Sequence, residues 1–244
     1  MIFNNLLNFV NSSYIFSKKR IHSIYLNSNV YNKKIEPSNF SSLEYYPSPN
    51  LLDSLIKYDK KKINIESYAL NKIWDNKKLK KKDHRNLNSF FWLFSLDLKS
   101  SKKDTQNIIM QWIDKNRNYN SESWEVDIVA KRIIAWTSNT RLTYEDGSID
   151  YKNNFNTVIK KQINHLINEI ERSEWVDDKM ISCAAIILTG LSYKDNNKYL
   201  KTGLNFLRKL VNFSFDNSGF LKSRSIWKLC FYLKYFILIR EWFK

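Results

Sequence analysis

Apolar residues recur at intervals of three and four along most of the chain, which is the spacing of a helix with one buried face. The same spacing predicts helices near residues 88 to 98, 104 to 117, 124 to 140, 179 to 193, 196 to 213 and 226 to 243. The chain has only 4 glycines and 3 prolines in 244 residues, too few for the many turns of a β-sandwich. The pattern therefore predicts an all-α protein. Its clearest amphipathic helix has the apolar positions Phe155, Val158, Ile159, Ile163, Leu166, Ile167 and Ile170.

Short turn sequences separate the predicted helices. EDGS at 145 to 148 and DNSG at 216 to 219 are rich in residues that favour turns, and Gly190 is predicted to cap the C-terminus of an apolar helix. Because short loops join antiparallel neighbours, the sequence predicts a series of helical hairpins.

The N-terminal quarter of the chain differs in character from the rest. Residues 1–65 are predicted to form an arm that begins with an amphipathic helix and continues through a linker holding Pro37, Pro47 and Pro49. Tyrosines of this arm could pack onto the helical domain predicted for residues 66–244. The basic residues near the N-terminus follow the apolar tract, unlike those of a signal peptide. Charged residues also interrupt the apolar C-terminal helix, so we expect no membrane span and a cytoplasmic protein, with the periplasm as the alternative.

The net charge of +16 suggests a polyanionic partner, either an acidic glycan or a nucleic acid. Lysine runs at 57 to 62 and 76 to 85 carry much of this charge. The alternative is an A+T-rich genome, because the chain is rich in Lys, Asn, Ile, Phe and Tyr together. If a polyanion is the partner, lysines 77 to 82 should share a face with Arg132 or Arg224.

Metal and cofactor chemistry has little support in the sequence. The two cysteines, Cys183 and Cys230, lie in apolar or aromatic segments without a CxxC pair, and only three histidines occur. We therefore expect no metal site and no cofactor. His84 and His165 lack an evident partner and are predicted to be structural or exposed to solvent.

The segment WEVDIVAKRIIAW at 124 to 136 has two interpretations. In a helix, Trp124, Ile128, Arg132 and Trp136 would form one stripe at successive i+4 positions. The stripe could be a ligand platform, in which a guanidinium pairs with a carboxylate and an aromatic ring stacks on a sugar. It could instead be core, with Arg132 in a buried ion pair with Glu125 or Asp127.

Five motifs together resemble the N-terminal helical domain of the heparinase II/III family: NLNSFFWL at 86 to 93, QWI at 111 to 113, the segment from Trp124 to Trp136, the apolar helix ending in LTGL, and DNSGFLKSRS at 216 to 225. The resemblance covers roughly residues 66 to 240. It implies an incomplete α/α toroid, with the β-domain of the family separate or missing. It also implies an acidic, uronate-containing glycan as partner and polysaccharide lyase chemistry by β-elimination.

The resemblance also assigns expected site residues. Asp177 and Asp178 align where the family has an Asn-His pair, and Lys228 falls where it has a tyrosine, so Asp177 and Lys228 are only positional candidates for catalysis. A carboxylate there would repel a uronate, and we expect little or no lyase activity from this chain alone. Asp177 and Asp178 could alternatively form an acid–base pair with Glu174, or cap a helix. The expected substrate-binding residues are Asn86, Trp92, Trp124, Arg132, Trp136 and Arg224.

Three functions therefore follow as expectations. The first is a heparinase-like lyase domain, degenerate or truncated, that acts on or binds acidic glycans. The second is a noncatalytic helical module that binds glycans or assists surface-polysaccharide assembly. The third is a basic nucleic-acid-binding protein, which the resemblance makes the weakest of the three.

Overall fold

The computed structural model describes residues 2–38, 42–45, 47, 74, 80–96, 101–193 and 197–244. Within these residues the protein is all-α, as predicted, with ten α-helices and no β-strand. Two short 3-10 helices, Phe91–Ser95 and Ile170–Arg172, complete the secondary structure. The α-helices are α1 Ile2–Leu26, α2 Asn29–Lys34, α3 Lys81–Ser89, α4 Lys102–Asn116, α5 Val126–Ser138, α6 Thr140–Thr143, α7 Ile149–Glu169, α8 Val176–Ser192, α9 Asn197–Ser214 and α10 Ile226–Trp242.

Serine residues define the starts of four helices. The side chains of Ser28, Ser101, Ser148 and Ser225 each accept a hydrogen bond from a backbone N–H three residues later, at the beginning of α2, α4, α7 and α10. Each bond satisfies one of the N–H groups that have no partner inside the helix.

Helix α8 lies at the centre of the fold and packs against α5, α7, α9 and α10. Its residues from Met180 to Gly190 are all buried, which explains why this segment is apolar on every side. The prediction that Gly190 ends the helix is wrong, because α8 continues to Ser192. A Cβ atom at Gly190 would lie 2.4 Å from the backbone nitrogen of Leu200, so glycine is needed here for the close approach of α9.

An aromatic cluster joins α3, α4, α5 and α7. The Trp136 ring packs edge-on against Phe90 and Trp112 and stacks on Phe155, with ring centroids 5.1 to 5.5 Å apart. Phe90 caps α3 in the left-handed region at a φ of 56°. This backbone conformation is uncommon for a bulky residue, and the surrounding rings hold it in place.

The N-terminal segment contributes directly to this core. Helix α1 extends to Leu26, beyond the predicted amphipathic tract, and α2 follows almost at once. Tyr31 and Ile35 are completely buried, and the Tyr31 ring packs edge-on against Tyr119 and His165. The boundary predicted at residues 65 and 66 lies outside the described residues.

Both predicted turns occur. EDGS follows α6 with Asp146 at a φ of 59°, and DNSG follows α9 with Gly219 at a φ of 80°. The Asp216 carboxylate accepts the N–H groups of Ser218 and Phe220 and so fixes the second turn. Among the described residues, no helix is both long and apolar enough to cross a membrane.

Candidate functional site

A cleft of about 570 Å³ opens where several helix ends converge. The first turns of α5 and α8 form one side, and the last turns of α7, the side of α3 and the loop before α5 form the others. This volume is ordinary for a small-ligand site. The lining residues are Leu26, Lys81, Arg85, Tyr119, Trp124, Glu125, Val126, Asp127, His165, Glu169, Ser173, Trp175 and Asp178.

Carboxylates dominate the charge of the cleft. Arg85 on α3 pairs with Glu125 and with Asp127, the latter at 2.7 Å. Lys131, one turn further along α5, pairs with the other oxygen of Asp127 at 2.8 Å. Two cations therefore hold Asp127, and Arg85 is already engaged by two acids.

Asp178 faces the same cleft from the first turn of α8. Burial raises the pKa of its carboxyl, and the nearby charge of Asp127 raises that pKa further. The hydroxyl of Ser173 lies 3.4 Å from one Asp178 oxygen. The two carboxylates thus differ, because Asp127 is paired with cations and Asp178 is partly desolvated.

Trp175 stands at the rim of the cleft, directly before α8. Its side chain is 71% exposed although it is one of the largest apolar groups in the protein. An indole held beside buried carboxylates offers a flat apolar surface next to hydrogen-bond acceptors.

His165 lines the cleft and is hydrogen-bonded to the hydroxyl of Tyr31 behind it. The Tyr31 hydroxyl lies 2.7 Å from His165 Nδ1, and His165 Nε2 lies 3.0 Å from the backbone oxygen of Trp124. Because that carbonyl can only accept, Nε2 carries the proton and Nδ1 accepts from Tyr31. Burial lowers the pKa of His165 to about 3 and raises the pKa of Tyr31, so both are neutral. The prediction that His165 is structural agrees with this arrangement.

The structure places Trp124 differently from the predicted stripe. Helix α5 begins at Val126, and Trp124 belongs to the preceding turn, where its indole donates to the Asn116 carbonyl at 2.9 Å. Its side chain forms part of the cleft wall but is only 1% exposed. Trp124 therefore does not share a helical stripe with Arg132.

Arg132 is completely buried behind the cleft. It donates to Gln162 Oε1 at 3.0 Å and to the backbone oxygens of Asn88 and Ser123 at 2.7 and 3.0 Å. Its guanidinium stacks 4.0 Å from the centre of the Trp112 ring. The buried ion pair with Glu125 or Asp127 is thus replaced by carbonyl oxygens, because Arg85 and Lys131 occupy the acids.

The other expected binding residues lie outside the cleft lining. Trp136 is fully buried in the aromatic cluster, and Trp92 is half-buried with its indole bonded to the Leu87 carbonyl. Asn86 is exposed on α3, whereas Asn88 of the same motif is buried and accepts from the Trp112 indole at 2.8 Å. Arg224 pairs with Asp216 at 3.0 Å in the turn before α10.

The two positional candidates for catalysis do not face the cleft either. Asp177 is half-buried towards α10, where its charge raises the pKa of Tyr232 after the larger effect of burial. Lys228 is exposed in the first turn of α10. Neither Asp177 nor Asp178 caps α8, because Trp175 occupies the N-cap position and both aspartates lie in the first helical turn.

Sequence reasoning missed most of the charged residues of the cleft. In the sequence, Arg85 is only the last residue of a lysine run. Glu125 and Asp127 were predicted only as ion-pair partners for Arg132. Glu169, which pairs with His22 at 2.7 Å, carried no signal at all. An acidic residue in the first turn of α5 and of α8 was the one available sign, and it is also ordinary helix chemistry.

The basic runs are only partly described. Lys80, Lys81 and Lys82 begin α3 as exposed side chains, and Lys81 lines the cleft, while 57 to 62 and 76 to 79 lie outside the described residues. Arg132 is buried and cannot share a surface with them. In the described part of the chain, no three His, Cys, Asp or Glu residues come together to hold a metal ion.

Comparisons with protein-family models, with curated proteins and with solved structures give no match to this chain.

Proposed function

We propose that the protein binds a glycan in the cleft, as a helical module of the α/α-toroid type that its sequence resembles. The observation that carries the proposal is Trp175, an exposed indole at the mouth of a cleft whose interior holds Asp127 and Asp178. A sugar presents an apolar face that stacks on an indole and hydroxyls that donate to carboxylates. The indole and the carboxylates that such a sugar needs line the same cleft.

The charge of the cleft favours a neutral or amino-bearing sugar. Four carboxylates line it, from Glu125, Asp127, Glu169 and Asp178. Arg85, which also lines the cleft, is held by two of these acids. A uronate entering the cleft would meet net repulsion at short range in a partly desolvated site. The acidic glycan implied by the family resemblance therefore has less support than an uncharged or cationic one.

Cleavage by β-elimination is not part of the proposal. That chemistry needs a base that can take a proton at neutral pH and a donor that stabilises the enolate-like charge. The Tyr31 and His165 pair is buried, the Tyr31 pKa is raised and the His165 imidazole stays neutral. Asp177 and Lys228 lie away from the cleft.

A second candidate function is hydrolysis of the glycan by the two aspartates. Asp178 has a raised pKa and could donate a proton to the leaving glycosidic oxygen, while Asp127, paired with Arg85 and Lys131, would take a proton from the attacking water. Glycoside hydrolysis usually relies on one carboxyl group as the acid and a second carboxylate as the base.

Binding is tested on a panel of immobilised oligosaccharides of neutral, amino-bearing and uronate types. We expect retention on neutral or amino-bearing sugars and a loss of at least about tenfold in affinity for Trp175→Ala. The matched control is Trp227→Ala, which removes an indole that is 88% exposed on α10, away from the cleft. Equal losses in both variants, or retention on uronates alone, would contradict the proposal.

Hydrolysis is tested on the sugars that the panel selects, by release of new reducing ends. Loss of a general acid should lower the rate about 100-fold or more in Asp178→Asn. Asp177→Asn is the matched control, since it changes the adjacent carboxylate outside the cleft. A parallel reading of ultraviolet absorbance detects elimination, for which we expect no signal.

A further inference from the structure

Between residues 14 and 24, helix α1 turns charged side chains to the protein and large apolar side chains to solvent. Lys19 pairs with Glu174 at 2.7 Å, and His22 pairs with Glu169 at the same distance. These residues are three apart and lie on one face of the helix. A surface helix normally does the reverse and buries its apolar stripe.

The opposite face of α1 carries large apolar side chains in water. Tyr14, Ile21 and Ile24 follow one another at intervals of seven and three, so they share a face, and each is between 65% and 68% exposed. Ile15 and Phe16 lie outside this face and are exposed as well. The helix therefore stands clear of the core near these residues and leaves an apolar surface uncovered.

Two cations flank this apolar face. At 100° per residue, Lys18 and Arg20 lie on opposite edges of the stripe formed by Tyr14, Ile21 and Ile24. Both side chains are exposed, and no carboxylate of the described residues pairs with either of them. The protein as a whole carries a net charge of +16. Apolar side chains between two basic edges are complementary to a surface that has an apolar interior and anionic groups on its outside.

We propose that α1 is an interfacial helix that binds the surface of an anionic lipid bilayer. Ile21 and Ile24 enter the boundary between headgroups and acyl chains, and Lys18 and Arg20 contact the phosphate and carboxylate groups of the lipids. The pairs Lys19–Glu174 and His22–Glu169 keep the protein body on the side of α1 that faces away from the bilayer. The cleft then lies beside the membrane, because Leu26 at the end of α1 is part of its lining.

The test is cosedimentation of the whole protein with vesicles of phosphatidylcholine, with and without phosphatidylserine. We expect binding to the vesicles that contain phosphatidylserine, little binding to phosphatidylcholine alone, and release by salt. The double variant Ile21→Gln/Ile24→Gln should reduce the partition coefficient about tenfold or more, since two buried aliphatic chains are lost. The variant Lys18→Gln/Arg20→Gln should reduce the preference for phosphatidylserine.

The control is Ile149→Gln, which replaces an isoleucine that is 79% exposed at the start of α7. It should bind vesicles like the unmodified protein. Equal loss in this control, or no vesicle binding by the unmodified protein, would overturn the proposal. Light scattering that shows dimers, dispersed by Ile21→Gln/Ile24→Gln without any vesicle binding, would identify a second copy of the chain as the occupant and would also overturn it.

Discussion

The hydroxyl of Tyr31 donates to Nδ1 of His165 at 2.7 Å, and this bond connects α2 with α7 across 134 positions of sequence. Its partner on the other side is the Trp124 carbonyl, so the imidazole bridges the N-terminal segment and the turn before α5. The position of His165 in the cleft wall therefore depends on residues from three distant parts of the chain.

Removal of the Tyr31 hydroxyl should destabilise the fold. In Tyr31→Phe the Nδ1 acceptor of His165 stays buried without a partner, which costs about 1–3 kcal/mol in the free energy of unfolding. Urea unfolding at neutral pH measures the difference. Tyr14→Phe is the matched control, because the Tyr14 ring is 65% exposed and its hydroxyl is free to bond with water. A cost in both variants would show that the His165 bond is not the cause.

Stability should fall with acid because of His165. Burial lowers the pKa of its imidazole from 6.5 to about 3. At a pH between these two values, the unfolded chain binds a proton at His165 that the folded protein does not bind. The stabilisation is complete above the unfolded pKa and is lost as the pH falls towards 3, by up to about 1.4 kcal/mol per pH unit. Urea unfolding as a function of pH should show a shallower decline in His165→Gln. Parallel declines in both proteins would assign the acid sensitivity to other groups.

Asp178→Asn should raise the free energy of unfolding at neutral pH. The raised pKa of this carboxyl means that the folded protein disfavours its charge, so stability is lost as the pH rises through the folded pKa. The uncharged amide in Asp178→Asn cannot ionise, so the variant does not lose stability in this way. Asp104→Asn is the control, because Asp104 occupies the same position in the first turn of α4 as Asp178 does in α8. Asp104→Asn should leave the free energy of unfolding unchanged or lower it slightly, since a favourable interaction of the carboxylate with the helix N-terminus is lost.

Gly190→Ala should destabilise the protein by about 1–3 kcal/mol, despite the better helix propensity of alanine. The new methyl group would lie 2.4 and 2.7 Å from backbone atoms of Leu200, which cannot move aside as a flexible side chain can. Thermal unfolding measures the effect. An unchanged or higher midpoint would show that α8 and α9 can separate at little cost.

The helices were predictable because their signal is local. The spacing of Phe155, Ile159 and Ile163 reports the buried face of α7 without knowledge of what covers it. The role of Gly190 was not predictable in the same way. A glycine is needed at this position because Leu200 of the next helix approaches it closely. A glycine near a helix end looks the same in sequence whether it caps the helix or admits a neighbour.

The site was less predictable because it depends on distant parts of the chain. Asp177 and Asp178 are adjacent in sequence, but a rotation of 100° about α8 sends one towards α10 and the other into the cleft. Arg132 resembled a ligand-binding residue because its partners are mostly backbone carbonyls, which no sequence motif reveals. The cation that pairs with the carboxylates of the cleft is Arg85, which tertiary packing alone brings close to α5.

The most direct test of the proposed glycan site is the nuclear magnetic resonance spectrum of the indole N–H groups. The protein has 8 tryptophans, and the resonance of Trp175 is assigned by its absence in Trp175→Phe. Titration with the sugar that the panel selects should shift the Trp175 resonance, and then that of Trp124 in the cleft wall, while that of Trp227 stays in place. A shift confined to Trp227, or no indole shift at a saturating sugar concentration, would contradict a glycan site in the cleft.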